Sequence, residues 1–77
     1  MAVKTFVLIQ TAVGKASEVV ANMRQLEGVK SGDLVTGPYD VIAVVEAESF
    51  DEVVSLLIER INLIAGISRV VTCVVIP

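Results

Sequence analysis

The chain has 77 residues, 55% of them hydrophobic, and a formal net charge of −3, so it is one small domain that is marginal unless stapled or oligomeric. A single cysteine, Cys73, excludes an internal disulfide, and the absence of histidine removes the usual zinc ligands and the commonest general base. The six basic residues are scattered over Lys4, Lys15, Arg24, Lys30, Arg60 and Arg69, which leaves no basic stripe for phosphates and no expectation of direct DNA binding.

Lys4 to Gln10 is short, β-branched and aromatic, and reads as a first strand. After a turn over Thr11 to Gly14 the period changes: Ala16, Val19, Val20, Met23 and Leu26 fall on one helical face, and Gly28 ends the helix. Val29 to Thr36 is a weaker strand whose Lys30, Gly32 and Asp33 suit a sheet edge. Gly37-Pro38 breaks it, and Asp40 to Ala47 is a third strand. Ser49-Phe50-Asp51-Glu52 is a capping box that opens a second helix, with Phe50, Val53, Val54, Leu57, Ile61 and Ile64 on its buried stripe. Gly66 ends that helix, and Ile67 to Ile76 is a fourth strand.

The two halves echo each other at an offset of 38 residues, with Gly28-Val29 falling on Gly66-Ile67 and Met23 on Ile61. Strand-helix-strand twice is the ferredoxin-like βαββαβ arrangement, an α+β fold: a four-stranded antiparallel sheet, two helices on one face, strands one and three central. A sheet covered on one face only should alternate apolar and polar residues. Here it does not: Phe6 and Leu8 oppose Val7 and Ile9, and Ile42 and Val44 oppose Val41, Ala43 and Val45. The second apolar face calls for the same face of another copy, a homodimer of the dimeric α+β barrel type. Leu56 and Leu63, a heptad apart and off the main stripe, read either as isolated surface leucines or as a further contact between dimers.

No charge-free run approaches the roughly 20 apolar residues that span a membrane, and the start of the chain lacks the pattern of a signal peptide. With one buried-looking cysteine, a cytoplasmic location is expected. No nucleophile elbow, phosphate loop or dinucleotide fingerprint is present, and the carboxylates Glu46, Glu48, Asp51 and Glu52 suit the positive end of helix two rather than a metal. No enzyme activity, catalytic residue, metal or cofactor is expected. The unusual segment is Thr36-Gly37-Pro38-Tyr39-Asp40, where a tight turn, the only tyrosine and a carboxylate meet at a sheet end. Free amides near Gly37, the Tyr39 ring and the Asp40 carboxylate suit a small amphoteric ligand, with Ser68 and Thr72 as secondary polar contacts. The competing reading is that Asp40 bonds only turn amides.

On this turn, on Gly14-Lys15, on the Gly28-Val29 helix exit and on Gly66-Ile67 running to Thr72, the whole sequence resembles the effector-binding (RAM) domain of the leucine-responsive/AsnC (Lrp/AsnC) family. The resemblance implies sheet-to-sheet dimers, assembly into higher oligomers, and an amino-acid effector held between dimers. It associates Gly37 and Asp40 with the effector response. No helix-turn-helix segment precedes the domain in these 77 residues, so the resemblance is to stand-alone RAM proteins, a single domain over residues 1–77 that would act on a full-length Lrp/AsnC-type regulator rather than on DNA. Alternatives are an ACT-like amino-acid-binding module and a small dimeric α+β barrel enzyme of the monooxygenase type. The lack of histidine and tryptophan counts against the enzyme.

Overall fold

The computed structural model describes residues 2–76; Met1 and Pro77, and with them the outer bounds of the expected domain, lie outside the described residues. The elements are β1 (Val3–Thr11), α1 (Ala16–Arg24), β2 (Val29–Leu34), β3 (Val41–Ala47), α2 (Phe50–Glu59), a 3-10 turn (Ile61–Leu63) and β4 (Ile67–Val74). They form one antiparallel sheet in the order β2-β3-β1-β4, with β1 and β3 at its centre as expected. Several ends differ from expectation: β1 is one residue longer at each end, β2 stops at Leu34, β3 starts at Val41 and β4 stops at Val74; α1 stops at Arg24 and α2 at Glu59, followed by the 3-10 turn, so the helices are capped at Gln25 and Arg60 and not ended by Gly28 and Gly66. No helix among the described residues is long and apolar enough to cross a membrane.

Register explains the core. Val7 stands opposite Ala43, and Ile9 opposite Val41, so these residues share one face of the sheet. On that face Val7, Ile9, Val41, Ala43 and Val45 are fully buried beneath Val19, Val20 and Met23 of α1 and Ile61 of the 3-10 turn. Each such side chain contributes about 1.5–3 kcal/mol on leaving water. Thr5 stands in the same rows, opposite Val45 and Val74, and is buried with its hydroxyl unpartnered.

The other face carries no helix. Phe6 pairs with Val44 on one side and Cys73 on the other, and Leu8 pairs with Ile42 and Val71. These six side chains make a contiguous apolar patch. Its border is polar: Lys4 opposite Glu46, Ser31 and Asp33 on β2, and Gln10 opposite Arg69. Lys4 folds its ammonium over the Phe6 ring, 5.3 Å from the centroid.

Three side chains depart from the expected pattern. Cys73 is exposed, because it stands on the open face of an edge strand. Phe50 is 56% exposed rather than part of the buried stripe; α2 packs mainly over β3 and β1, and Phe50 is its first residue. Leu56 is not a surface residue: it packs partly buried against the core, while Leu63 stays exposed. The capping box forms, with Ser49 Oγ accepting from the Glu52 amide at 3.2 Å, but Glu52 Oε2 reaches the Glu48 amide, one residue before the cap.

Both helix exits turn on glycine. Gly66 has φ +98, and a Cβ there would stand 2.9 Å from Lys15 Cβ and 3.2 Å from Val19 Cγ2. Gly14 has φ +78 with nothing within 4 Å of that position. Gly14→Ala should therefore cost only the left-handed backbone strain of about 1–2 kcal/mol. Gly66→Ala should cost clearly more, because α1 must also move away. Urea unfolding of the two variants against the native chain checks the order.

Candidate ligand-binding end of the sheet

β1 leaves the sheet at Thr11, and β3 enters it at Val41, so the β2–β3 connection closes over the end of β1. The closure is built on Asp40. Its amide donates to the Ile9 carbonyl at 2.9 Å, and its carbonyl accepts from the Val35 amide at 2.9 Å. Its carboxylate Oδ2 accepts from the Thr11 amide at 2.8 Å and from the Thr11 hydroxyl at 3.2 Å. Gln10 Nε2 adds a bond to the Pro38 carbonyl at 2.8 Å. The turn is therefore held to β1 by four side-chain or backbone bonds over a few residues. Gly37, at φ +128, has open space where a side chain would stand, and its left-handed backbone is one that glycine adopts without strain.

A third segment joins this end. The Ala12 amide donates to the Gly66 carbonyl at 2.8 Å, which ties the β1–α1 loop to the start of β4. Ser68 falls in the irregular step of the β1–β4 ladder, between the pairs Gln10–Arg69 and Thr11–Ile67, and is exposed. Gly37, half-buried Tyr39, half-buried Asp40 and Ser68 thus collect at one end of the sheet. Thr72 does not join them: it stands opposite Val7 on the exposed edge strand, about 13 Å along the strand from Thr11. Gln10 and Thr11 belong to this end and were not singled out from the sequence. The signal for them was present: once β1 and β3 pair antiparallel, the residues after Ile9 must meet those before Val41.

Chemically, the end offers a carboxylate fixed by Thr11 next in sequence to a half-buried tyrosine. Within the chain Asp40 Oδ1 has no hydrogen-bond partner among the described residues, so one carboxylate oxygen is committed to Thr11 and the other is not. Among the described residues no group of three or more acidic, cysteine or histidine side chains could hold a metal ion.

Residues 4–77 match the family model of the Lrp/AsnC ligand binding domain. The chain belongs to the Lrp/AsnC family. Solved structures agree. A hypothetical protein, PHS023 from Pyrococcus horikoshii, is 30% identical with a TM-score of 0.91, over 100% of this chain and 92% of that one. AsnC of E. coli is 25% identical with a TM-score of 0.91, over 97% of this chain but only 51% of its own length. The transcriptional regulator NMB0573 of Neisseria meningitidis, solved as a complex with L-Met, shares the fold at 16% identity and a TM-score of 0.86, over 97% of this chain and 50% of that one. A search of curated proteins finds no match. The chain thus matches the ligand-binding domain of a family that includes regulators; it spans 92% of PHS023 and about half of AsnC.

Removing the Asp40 carboxylate should leave the Thr11 amide without its partner. Asp40→Ala is expected to destabilise the fold by about 1–3 kcal/mol. Asp40→Asn should recover part of this, because an amide oxygen still accepts from Thr11. Thermal melts of the two variants check the order.

Proposed function

We propose that this chain is an oligomeric regulatory domain that takes a free amino acid at the Gly37–Asp40 end, in a site completed by a second copy. The observation that carries the reading is Asp40: its Oδ2 is fixed by Thr11, its second oxygen has no hydrogen-bond partner among the described residues, and the neighbouring Gly37 has open space beside it. A carboxylate so positioned suits an ammonium group, and amides near Gly37 suit a carboxylate. Tyr39 forms the wall, and Ser68 is a further polar contact from the neighbouring loop. Thr72 would contribute only if another copy brings it near. The Neisseria regulator's complex with L-Met supports amino acids as the class to test first.

The open sheet face is the natural seat of a homodimer. The six-residue apolar patch with its polar border has the pattern of an interface, and a standard interface buries about 800 Å² per partner. Exposed Cys73 would be covered in that assembly. Higher assembly of the dimers would then bring a second copy to the ligand end. With a net charge of −3 and scattered basic residues, the domain would act in the cytoplasm through a full-length Lrp/AsnC-type regulator rather than by binding DNA itself, and no catalysis is assigned to it.

Calorimetry with the free amino acids tests the ligand. At least one should bind the native chain, and Asp40→Asn should lose about ten-fold in affinity, the equivalent of about 1.4 kcal/mol. Equal binding by Asp40→Asn would remove the site, and no binding by the native chain would remove the ligand class. Sedimentation tests the dimer. Phe6→Glu should leave a folded monomer, whereas Val7→Glu, on the buried face, should not fold at all. A native chain that sediments as a monomer at micromolar concentration would end the dimer reading.

A further inference from the structure

At the opposite end of the sheet from Asp40, a recess of about 590 Å³ opens between the exit of α1, the start of β2, the end of β3 and the flank of α2. The internal repeat makes this recess informative. Gly28 at the exit of α1 is the counterpart of Gly66 at the exit of α2, with φ +95 against +98. Their carbonyls have matching roles, Glu46 donating its amide to Gly28 at 2.9 Å as Ala12 does to Gly66 at 2.8 Å. At Gly66 the space is filled by Lys15 and Val19, the nearest atom only 2.9 Å from where a Cβ would be. At Gly28 the nearest is Leu56 Cδ2 at 3.4 Å, and the recess lies beside it.

The lining has an order. Glu52, Leu56 and Arg60 all border the recess and recur every fourth residue, so they form one stripe along α2 and its cap. An acid stands at one end, an aliphatic side chain in the middle and a base at the other, spread over about 12 Å of helix rise. Leu26 also lines the recess, as do Lys30 and the acids Glu27, Glu46 and Glu48. Glu52 is held in place by its bond to the Glu48 amide. Arg60 is exposed and forms no ion pair: among the described residues the one salt bridge within 4.0 Å is Lys15–Glu18. The volume lies in the range of small-molecule sites, roughly 300–1,000 Å³.

We infer that this recess is a second ligand site, complete within one copy, for an extended amphoteric small molecule whose cationic amine and anionic group are separated by an apolar stem. The amine lies toward Glu52 and Glu48, the stem over Leu26 and Leu56, and the anion toward Arg60. An α-amino acid with an uncharged side chain, with both charges on one carbon, does not span this stripe. The site is therefore different in chemistry as well as in place from the Gly37–Asp40 end, and it stands whether or not that end binds an amino acid.

Amide chemical shifts of the isotope-labelled full chain provide the test, with ε-aminocaproate as probe. Saturable shifts are expected at Glu27, Gly28, Ala47 and Glu52. Its isomer norleucine, with the charges on one carbon, and caproate, with no amine, should bind there about ten-fold more weakly or less, the loss of one charge-assisted contact. Arg60→Glu keeps the fold, since the side chain is exposed. It should weaken ε-aminocaproate about ten-fold and strengthen hexamethylenediamine, which has an amine at each end. Asp40→Asn should change neither. The inference is overturned by any of four results: no saturable shifts with ε-aminocaproate, shifts confined to Gly37–Asp40, norleucine binding the recess as well as its isomer does, or an Arg60→Glu chain that binds ε-aminocaproate unchanged.

Discussion

A four-stranded sheet with two apolar faces and only two helices, of nine and ten residues, is the constraint on which this molecule turns. A ten-residue helix is about 15 Å long, so the pair can roof one face and no more. The covered face becomes the core: Val7, Ile9, Val41, Ala43 and Val45 have no exposed surface. The same strands place Phe6, Leu8, Ile42 and Val44 on the other side, because side chains alternate along a strand. Shifting either central strand by one residue would exchange the two sets. Both faces are apolar, so apolar pattern alone would tolerate that exchange. What opposes it is the polar border and the closure at the strand ends, where Asp40 binds Ile9 and Thr11.

That closure gives Asp40 a role before any ligand arrives. A half-buried carboxylate is costly unless hydrogen-bonded. Thr11 supplies two donors, and Asp40 in return locks the β2–β3 connection to β1. The two readings left open by the sequence, turn anchor and ligand contact, do not compete for the same atom: the anchor uses Oδ2. The internal repeat adds an asymmetry. Equivalent glycines lead into β2 and β4, yet one is packed closely by α1 and its cap while the other borders a charged recess.

Much of this was legible in the chain. The buried set of α1, Val19, Val20 and Met23, follows from helical period alone, and the two faces of β1 and β3 follow from alternation. Phe50 was misread because the first residue of a helix is placed by the packing angle of the whole helix, which the period does not reveal. Cys73 was misread because its valine neighbours suggested burial, while the register puts it opposite Phe6 on the face of the edge strand that carries no helix. Leu56 looked like a surface residue because its contact is with Gly28, on another helix exit. The Asp40–Thr11 bonds and the recess join residues from distant segments, and only the β1–β3 register brings those segments together.

The placement of the ligand end bears on how such a domain would respond. Asp40 donates its amide to Ile9, the neighbour of Leu8, and Leu8 stands on the open face opposite Ile42 and Val71. Between the turn and that face there is no flexible linker, only the central ladder, whose backbone bonds repeat at every second residue. A displacement of Asp40 relative to Thr11 would have to stretch those bonds or move β1 against β3. Close-packed valines beneath the ladder resist either. A ligand at Asp40, as proposed, would therefore be held by the same two strands that carry the apolar patch.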